Sequence, residues 1–177
     1  MEALDRHAVE WLADRHWPVV TPIMKGLTDI GAHAIVWLVL GAAFALWQRR
    51  LLVLVVLALA EEVSSFADGV LKDAIGRVRP PLADPRVHPS IPVPHDPSMP
   101  SGHAMMAFTG AVLLAAVMPR LRWPLLVLAA AIGLSRVYLG VHYPSDVVVG
   151  AALGAALGAG AVLVLRRGER ALAARRH

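Results

Sequence analysis

Lys72, Arg79, Arg136, His103, His142 and Asp146 are the residues of this chain whose types could do chemistry together. They lie in three short stretches, 72–80, 100–103 and 135–146, each at the end of a long apolar run. Phosphoryl transfer needs charge neutralised on the phosphate oxygens, a nucleophile in line and a proton for the leaving oxygen. Lys72, Arg79 and Arg136 supply cations: guanidinium holds two phosphate oxygens through paired donors, and Lys acts as a point charge. Ser101 and Gly102 open an apolar run after Pro100. A helix starting there presents unpaired backbone N–H groups to an anion, Ser101 adds a hydroxyl donor, and Gly102 allows close backbone approach. His142 precedes Asp146 by four residues, and a carboxylate on one imidazole nitrogen raises the basicity of the other. His142 is therefore a candidate nucleophile on phosphorus, through a phospho-His142 intermediate, and His103 a candidate acid for the leaving oxygen. With three cations present, this chemistry needs no metal and no cofactor.

Taken singly, each residue has an ordinary reading. A cation at the end of an apolar run is usually a snorkelling topology marker, and Ser-Gly at a helix start is usually a cap. The joint occurrence of the three stretches on one side of the apolar runs is what argues for a site.

The elements that must position these residues are membrane helices. The 177 residues are 57% hydrophobic and 17% charged, where soluble domains carry roughly 25% charged residues. Mean hydropathy is +0.59. The net charge of +4 comes from arginines placed at the ends of apolar runs, which reads as membrane topology and excludes a nucleic-acid face. There are no cysteines, so disulfides and thiolate sites are excluded. Charges at Glu2, Asp5, Arg6, Glu10, Asp14 and Arg15 break any signal-peptide h-region.

Residues 2–17 alternate charges with Leu4, Val9, Trp11, Leu12 and Trp17. This pattern predicts an amphipathic helix in the membrane interface, ended by Pro18 and Pro22. Five spans follow, at 23–47, 51–71, 101–118, 123–141 and 147–165, with a sixth if residues 1–18 also cross. The expected fold is thus all-α, a polytopic transmembrane helical bundle forming a single domain over residues 1–177. Within and just after the second span, Glu61, Ser65, Asp68 and Lys72 are spaced to share one face, expected to point at the site, with packing between helices as the open alternative for Glu61 and Glu62. The eight prolines of residues 80–100 exclude a helix or inner strand there and predict a stiff lid or tether, with His88 and His95 solvated. Gly150, Gly154 and Gly158 form a small-residue face for close helix packing. Arg49, Arg50, Arg120, Arg122 and the five C-terminal arginines all fall on one side of five spans. The positive-inside rule makes that side cytoplasmic and puts the three stretches outside.

Lys72-x6-Arg79-Pro80, Pro100-Ser101-Gly102-His103 and Ser135-Arg136-x5-His142-x3-Asp146 resemble the three signature motifs of the type 2 phosphatidic acid phosphatase superfamily in order and internal spacing. The resemblance implies phosphate binding by Lys72, Arg79, Ser101, Gly102 and Arg136, with His142 as nucleophile, Asp146 as its partner and His103 as acid, without metal. It departs from the many members with six clear spans in its charged N-terminal segment. It implies an enzyme of the bacterial plasma membrane whose partners are the bilayer and a lipid phosphate or pyrophosphate: polyprenyl pyrophosphate, phosphatidylglycerophosphate or phosphatidic acid. Three alternatives stay open: a lipid phosphotransferase using the same phospho-His142, a haloperoxidase, and a non-catalytic phosphate-binding membrane protein. The oligomeric state stays open as well.

Overall fold

A computed structural model of the chain describes residues 2–13, 15 and 17–175. Among these the regular elements are all helical, with no strand. They are α1 (Glu2–Ala13), α2 (Val20–Gly31), α3 (Ile35–Gln48), α4 (Leu51–Ile75), α5 (Pro80–Ala83), α6 (Gly102–Val117), α7 (Arg122–Tyr138) and α8 (Pro144–Ala174).

Helix α6 is the axis of the bundle, packed against α4, α7 and α8. Its contact with α8 is a backbone contact made possible by the small-residue face of α8. A Cβ on Gly150 would stand 2.5 Å from the Ser101 carbonyl oxygen, and one on Gly154 2.0 Å from that of Met105. The glycine face is therefore an internal seam, and it fixes the start of α8 against the start of α6. Apolar side chains fill the rest of the interior, among them Trp37, Leu57, Leu113, Leu114 and Ile132, all fully buried. Outward-facing Leu46, Trp47, Leu59, Phe66 and Val127 are exposed, as expected of helices solvated by lipid.

Val20–Gln48, Pro119–Tyr138 and Pro144–Ala174 are long and apolar enough to cross a membrane. α6 is apolar but has only 16 residues. α4 has 25 residues, about 37 Å of helix, and is interrupted by Glu61, Glu62 and Asp68. The expected first span is not one straight helix. A break at Ala32–Ala34 separates α2 from α3, with His33 and Ala34 both at positive φ.

Other boundaries also shift. The helix expected over residues 2–17 ends at Ala13, and Asp14 and His16 lie outside the described residues. Val9 turns inward onto Val87, Val137 and Tyr143, while Leu4 and Trp11 face outward. After α1, Arg15 and Trp17 are held to α7 through the Tyr138 hydroxyl. The fourth span ends at Tyr138 and the fifth begins at Pro144, so His142 lies in the turn between them. The proline-rich segment does contain one helical turn, α5. Its first two residues are Pro80 and Pro81, positions where a missing N–H breaks no helical hydrogen bond.

Candidate active site

Helix ends and the segments between them bring the three sequence stretches together. α4 carries Lys72 in its last turn and stops at Gly76, whose φ of +64° suits a residue without Cβ. The chain then turns so that Arg79 reaches the α7–α8 turn. There Arg79 Nη1 donates to the Val141 carbonyl at 2.9 Å and lies 3.1 Å from His142 Nε2. Guanidinium only donates, so His142 Nε2 must accept. The neutral imidazole then carries its proton on Nδ1. Asp146 Oδ2 lies 3.4 Å from that Nδ1, without the alignment of a hydrogen bond but near enough to pair with the ring once it is protonated. Burial, together with the charges of Arg79 and Arg136, pushes the His142 pKa down to about 4 against the opposing pull of Asp146. The imidazole is therefore neutral at pH 7, the form a nucleophile requires.

Asp146 is completely buried at the start of α8. Its Oδ2 accepts from Tyr143 N at 2.9 Å and from Ser98 Oγ, and its carbonyl accepts from Ser101 N at 3.0 Å. Ser101 is the residue before α6, and its hydroxyl is buried without a partner. Arg136 projects from the last turn of α7. Its Nη1 donates to Thr28 Oγ1 on α2, and its Nε is buried without a partner. His103, in the first turn of α6, is near enough to feel the charges of Arg136, His142 and Lys72. These unmet donors and clustered cations lie close enough together that they could hold an anion beside the His142 imidazole.

Gly102 has a different neighbour from the one its motif suggests. A Cβ there would stand 2.6 Å from Asp68 Oδ2, so the close approach it allows is that of a protein carboxylate. The polar face of α4 also differs by one residue. Glu61, Ser64 and Lys72 are buried, with Asp68 largely so, whereas Ser65 is exposed and Ser64 meets Thr109 instead. Glu61 contacts the Gly110 region of α6, about 10 Å along α4 from Asp68, and does not reach the cations. Ser135 closes onto Ile132 within α7. His88 and His95 are exposed, as expected.

Two contributors were not singled out from the sequence. One is Arg77, whose Nη1 donates to Asp146 Oδ1 at 2.6 Å. The other is Asp96, in the proline-rich segment. Its Oδ2 lies 2.6 Å from Lys72 Nζ, its Oδ1 accepts from Arg79 Nη2 at 2.9 Å, and its carbonyl accepts from Arg79 Nε at 2.8 Å. Burial opposes ionisation of Asp96, but the Lys72 hydrogen bond and the Lys72 and Arg79 charges outweigh it and hold its pKa down to about 2. Asp68 adds a second carboxylate on Lys72 at 2.8 Å. Asp96 thus bridges two of the three cations as a phosphate would. A phosphate binding to Lys72 and Arg79 through the donors that Asp96 occupies would compete with it.

Asp96→Asn is accordingly expected to tighten inhibition by inorganic phosphate about fivefold. That corresponds to roughly 1 kcal/mol for a half-exposed ion pair. The gain should persist at pH 4, because the native carboxylate is still ionised there. An unchanged inhibition constant would mean that phosphate and Asp96 do not compete.

Comparison with known proteins gives a consistent picture. A family model described as the PAP2 superfamily matches residues 50–170. The decaprenylphosphoryl-5-phosphoribose phosphatase of Mycobacterium tuberculosis is 41% identical over 150 residues, covering 84% of this chain and 81% of that protein. The crystal structure of a transmembrane PAP2 type phosphatidylglycerolphosphate phosphatase from Bacillus subtilis superposes with a TM-score of 0.72 at 27% identity, covering 96% of this chain and 86% of that one. Aquifex aeolicus LpxE superposes with a TM-score of 0.75 at 25% identity, over 90% and 94% of the two chains.

Proposed function

The chain belongs to the PAP2 superfamily, and from that premise we propose that it hydrolyses the terminal phosphate of a polyprenyl-linked membrane lipid through a phospho-His142 intermediate. The observation that carries this reading is the meeting of Arg79 and Arg136 at His142, with Lys72 joined to Arg79 through Asp96 and Asp146 fully buried behind the imidazole. The polyprenyl class comes first because the Mycobacterium tuberculosis relative, matched over most of both chains, is named for a decaprenyl-linked phosphosugar. Phosphatidylglycerophosphate is the second candidate, on the name of the Bacillus subtilis neighbour.

The reaction follows from the roles these atoms can take. Substrate phosphate replaces Asp96 on Lys72 and Arg79 and engages Arg136, Ser101 and the backbone N–H groups at the start of α6. As Arg79 turns to the phosphate, His142 Nε2 is freed and attacks phosphorus. The phosphorus–oxygen bond to the lipid breaks, and His103, protonated from solvent as the anionic phosphate enters beside it, gives that proton to the departing alkoxide or phosphate oxygen. Asp146 stabilises the positive charge on the phosphorylated imidazole through the Nδ1 proton. Water then attacks phosphorus, passes a proton to His103, and inorganic phosphate leaves as His142 is regenerated. The cations neutralise the transition state, so the reaction proceeds without metal.

We place the site at the outer face of the plasma membrane, with α4 and α6 completing five spans. Arg49, Arg50, Arg120 and Arg122 flank the opposite helix ends, where Arg50 also pairs with Glu169 of α8. There a headgroup can enter while its tail stays in lipid.

The test is phosphate release by the purified protein in detergent with chelator present. The substrates are a polyprenyl-linked phosphosugar, polyprenyl pyrophosphate, phosphatidylglycerophosphate, phosphatidic acid and a soluble phosphate ester. Release fastest from a polyprenyl substrate is expected. Release only from a glycerolipid overturns the substrate assignment, and release only after metal is restored overturns the mechanism. No release from any of the five removes the hydrolase reading.

A further inference from the structure

Arg77 is not one of the three cations proposed to hold phosphate, yet it joins four segments of the chain. Its Nη1 donates to Asp146 Oδ1 at 2.6 Å and to Ser145 Oγ at 2.7 Å. Its Nη2 donates to Asp5 Oδ2 at 2.9 Å. Its guanidinium lies 4.1 Å from the centroid of the Tyr143 ring, and its carbonyl accepts from Ser98 N at 2.8 Å. Ser98 in turn donates its hydroxyl to the other oxygen of Asp146. Asp5, on α1, is buried although α1 is a surface helix. It accepts from Ser145 N at 3.1 Å and from the Ser145 hydroxyl as well.

A fully buried carboxylate is stable as an anion only when paired and hydrogen-bonded. Arg77 is the cation that pairs Asp146, and it does so while carrying a second carboxylate from α1. We propose that Arg77 is a positioning residue that, braced by Asp5 on the interfacial helix α1, holds Asp146 ionised and aligned behind His142. The inference rests on the phosphatase reading for its kinetic consequence, but the electrostatic linkage it describes can be measured without turnover.

Arg77 also sets how strongly Asp146 acts on His142. With Arg77 present, part of the negative charge of Asp146 is compensated, and protonation of His142 is correspondingly harder. Removing the Arg77 charge leaves the buried Asp146–His142 pair with one cation fewer, so the pair takes up its next proton at a higher pH, and that proton falls to His142 because Asp146 keeps its hydrogen bonds from Ser98 and Tyr143. The other charges facing His142 are Arg79 from the segment after α4, Arg136 from α7 and His103 from α6, and all of them remain in the variants below. Asp146 itself faces Arg77 and His142, with Asp5 beyond the guanidinium.

The experiment compares Arg77→Gln, Arg77→Lys and Asp5→Asn in the full chain. It reads kcat and KM on the lipid phosphate that the wild type hydrolyses, the pH profile of kcat/KM, and the titration of His142 by NMR of 15N-histidine-labelled protein. Arg77→Gln is expected to lower kcat about 10- to 100-fold with KM nearly unchanged, as for an interaction needed in the transition state alone. The acid limb of kcat/KM and the His142 titration should both move up by about one pH unit. Arg77→Lys should restore the limb, because the charge returns. Asp5→Asn should lower kcat about threefold to tenfold without moving the limb, since Arg77 keeps its charge but loses its brace.

An Arg77→Gln protein with the wild-type limb and titration overturns the proposal. So does one whose KM alone rises, which would make Arg77 a phosphate ligand. If Arg77→Gln does not fold, Asp5→Asn decides, and an unchanged kcat there overturns the brace. A wild type without turnover defeats the phosphatase reading instead, and the His142 titration still tests Arg77.

Discussion

Replacing His142 by alanine is expected to lower kcat by at least about 10⁴-fold, the scale seen when the nucleophile of a covalent mechanism is removed. Phosphate affinity should survive, because in the proposed site Lys72, Arg79 and Arg136 would hold the anion and none of them depends on the imidazole for its charge. Arg79 loses only its 3.1 Å contact with Nε2 and keeps its bonds to Val141 and the Asp96–Pro97 backbone. The two readouts are lipid phosphate release and the dissociation constant of inorganic phosphate measured by displacement. Turnover within tenfold of wild type would remove His142 as nucleophile. The wild-type pH profile offers a matching check. The reactive form is the neutral imidazole, and its pKa in the fold is pushed down to about 4. Activity controlled by this group should therefore stay level from neutral pH down to about pH 5 and fall only as pH drops through 4. An acid limb near 6.5 would mean that His142 titrates as a solvent-exposed histidine.

The second large effect is expected at Arg136→Lys. Arg136 Nη1 is committed to Thr28 on α2, while Nε is buried with no partner. The guanidinium can therefore keep its anchor on one side and offer paired donors to phosphate on the other. An ammonium group has the charge but not the fork. The loss should amount to roughly 2–3 kcal/mol of transition-state stabilisation, about 30- to 150-fold in kcat/KM. Thr28→Val, which removes the anchor and leaves the arginine, should show a smaller loss in the same direction. Near-normal activity of Arg136→Lys would reduce Arg136 to a charge marking the end of α7.

These experiments bear on residues that were legible in the chain without its fold. Lys72, Arg79, Ser101, Gly102, His103, Arg136, His142 and Asp146 stand out because their types complement one another and their three stretches fall on one side of the apolar runs, although each alone reads as a topology marker or a cap. The all-helical architecture was legible for a related reason. Long apolar runs must satisfy their backbone internally, and with lipid as solvent the helix is the direct way to do so. The glycines of α8 showed a packing face, but which helix it meets became clear only when Ser101 and Met105 were found against it.

Tertiary structure decided the remainder, and the reason is distance along the chain. Arg77 and Asp146 are 69 residues apart, and Asp5 and Ser145 are 140 apart. No local pattern marks a charge as someone else's counterion. Asp5 read as one of the charges of an amphipathic surface, yet it is buried because Arg77 and the start of α8 meet it there. Asp96 read as one polar residue among prolines, and only the fold sets its carboxylate between Lys72 and Arg79. Ser64 and Ser65 are adjacent, so spacing alone put the wrong one inward; helix rotation, set by packing of α4 on α6, chose Ser64. The sequence by itself determined which groups could do the chemistry and that helices would carry them. The packing of α1, α4, α6 and α8 decided which carboxylates restrain those groups, because a buried charge takes its state from whatever the fold places within a few ångströms of it.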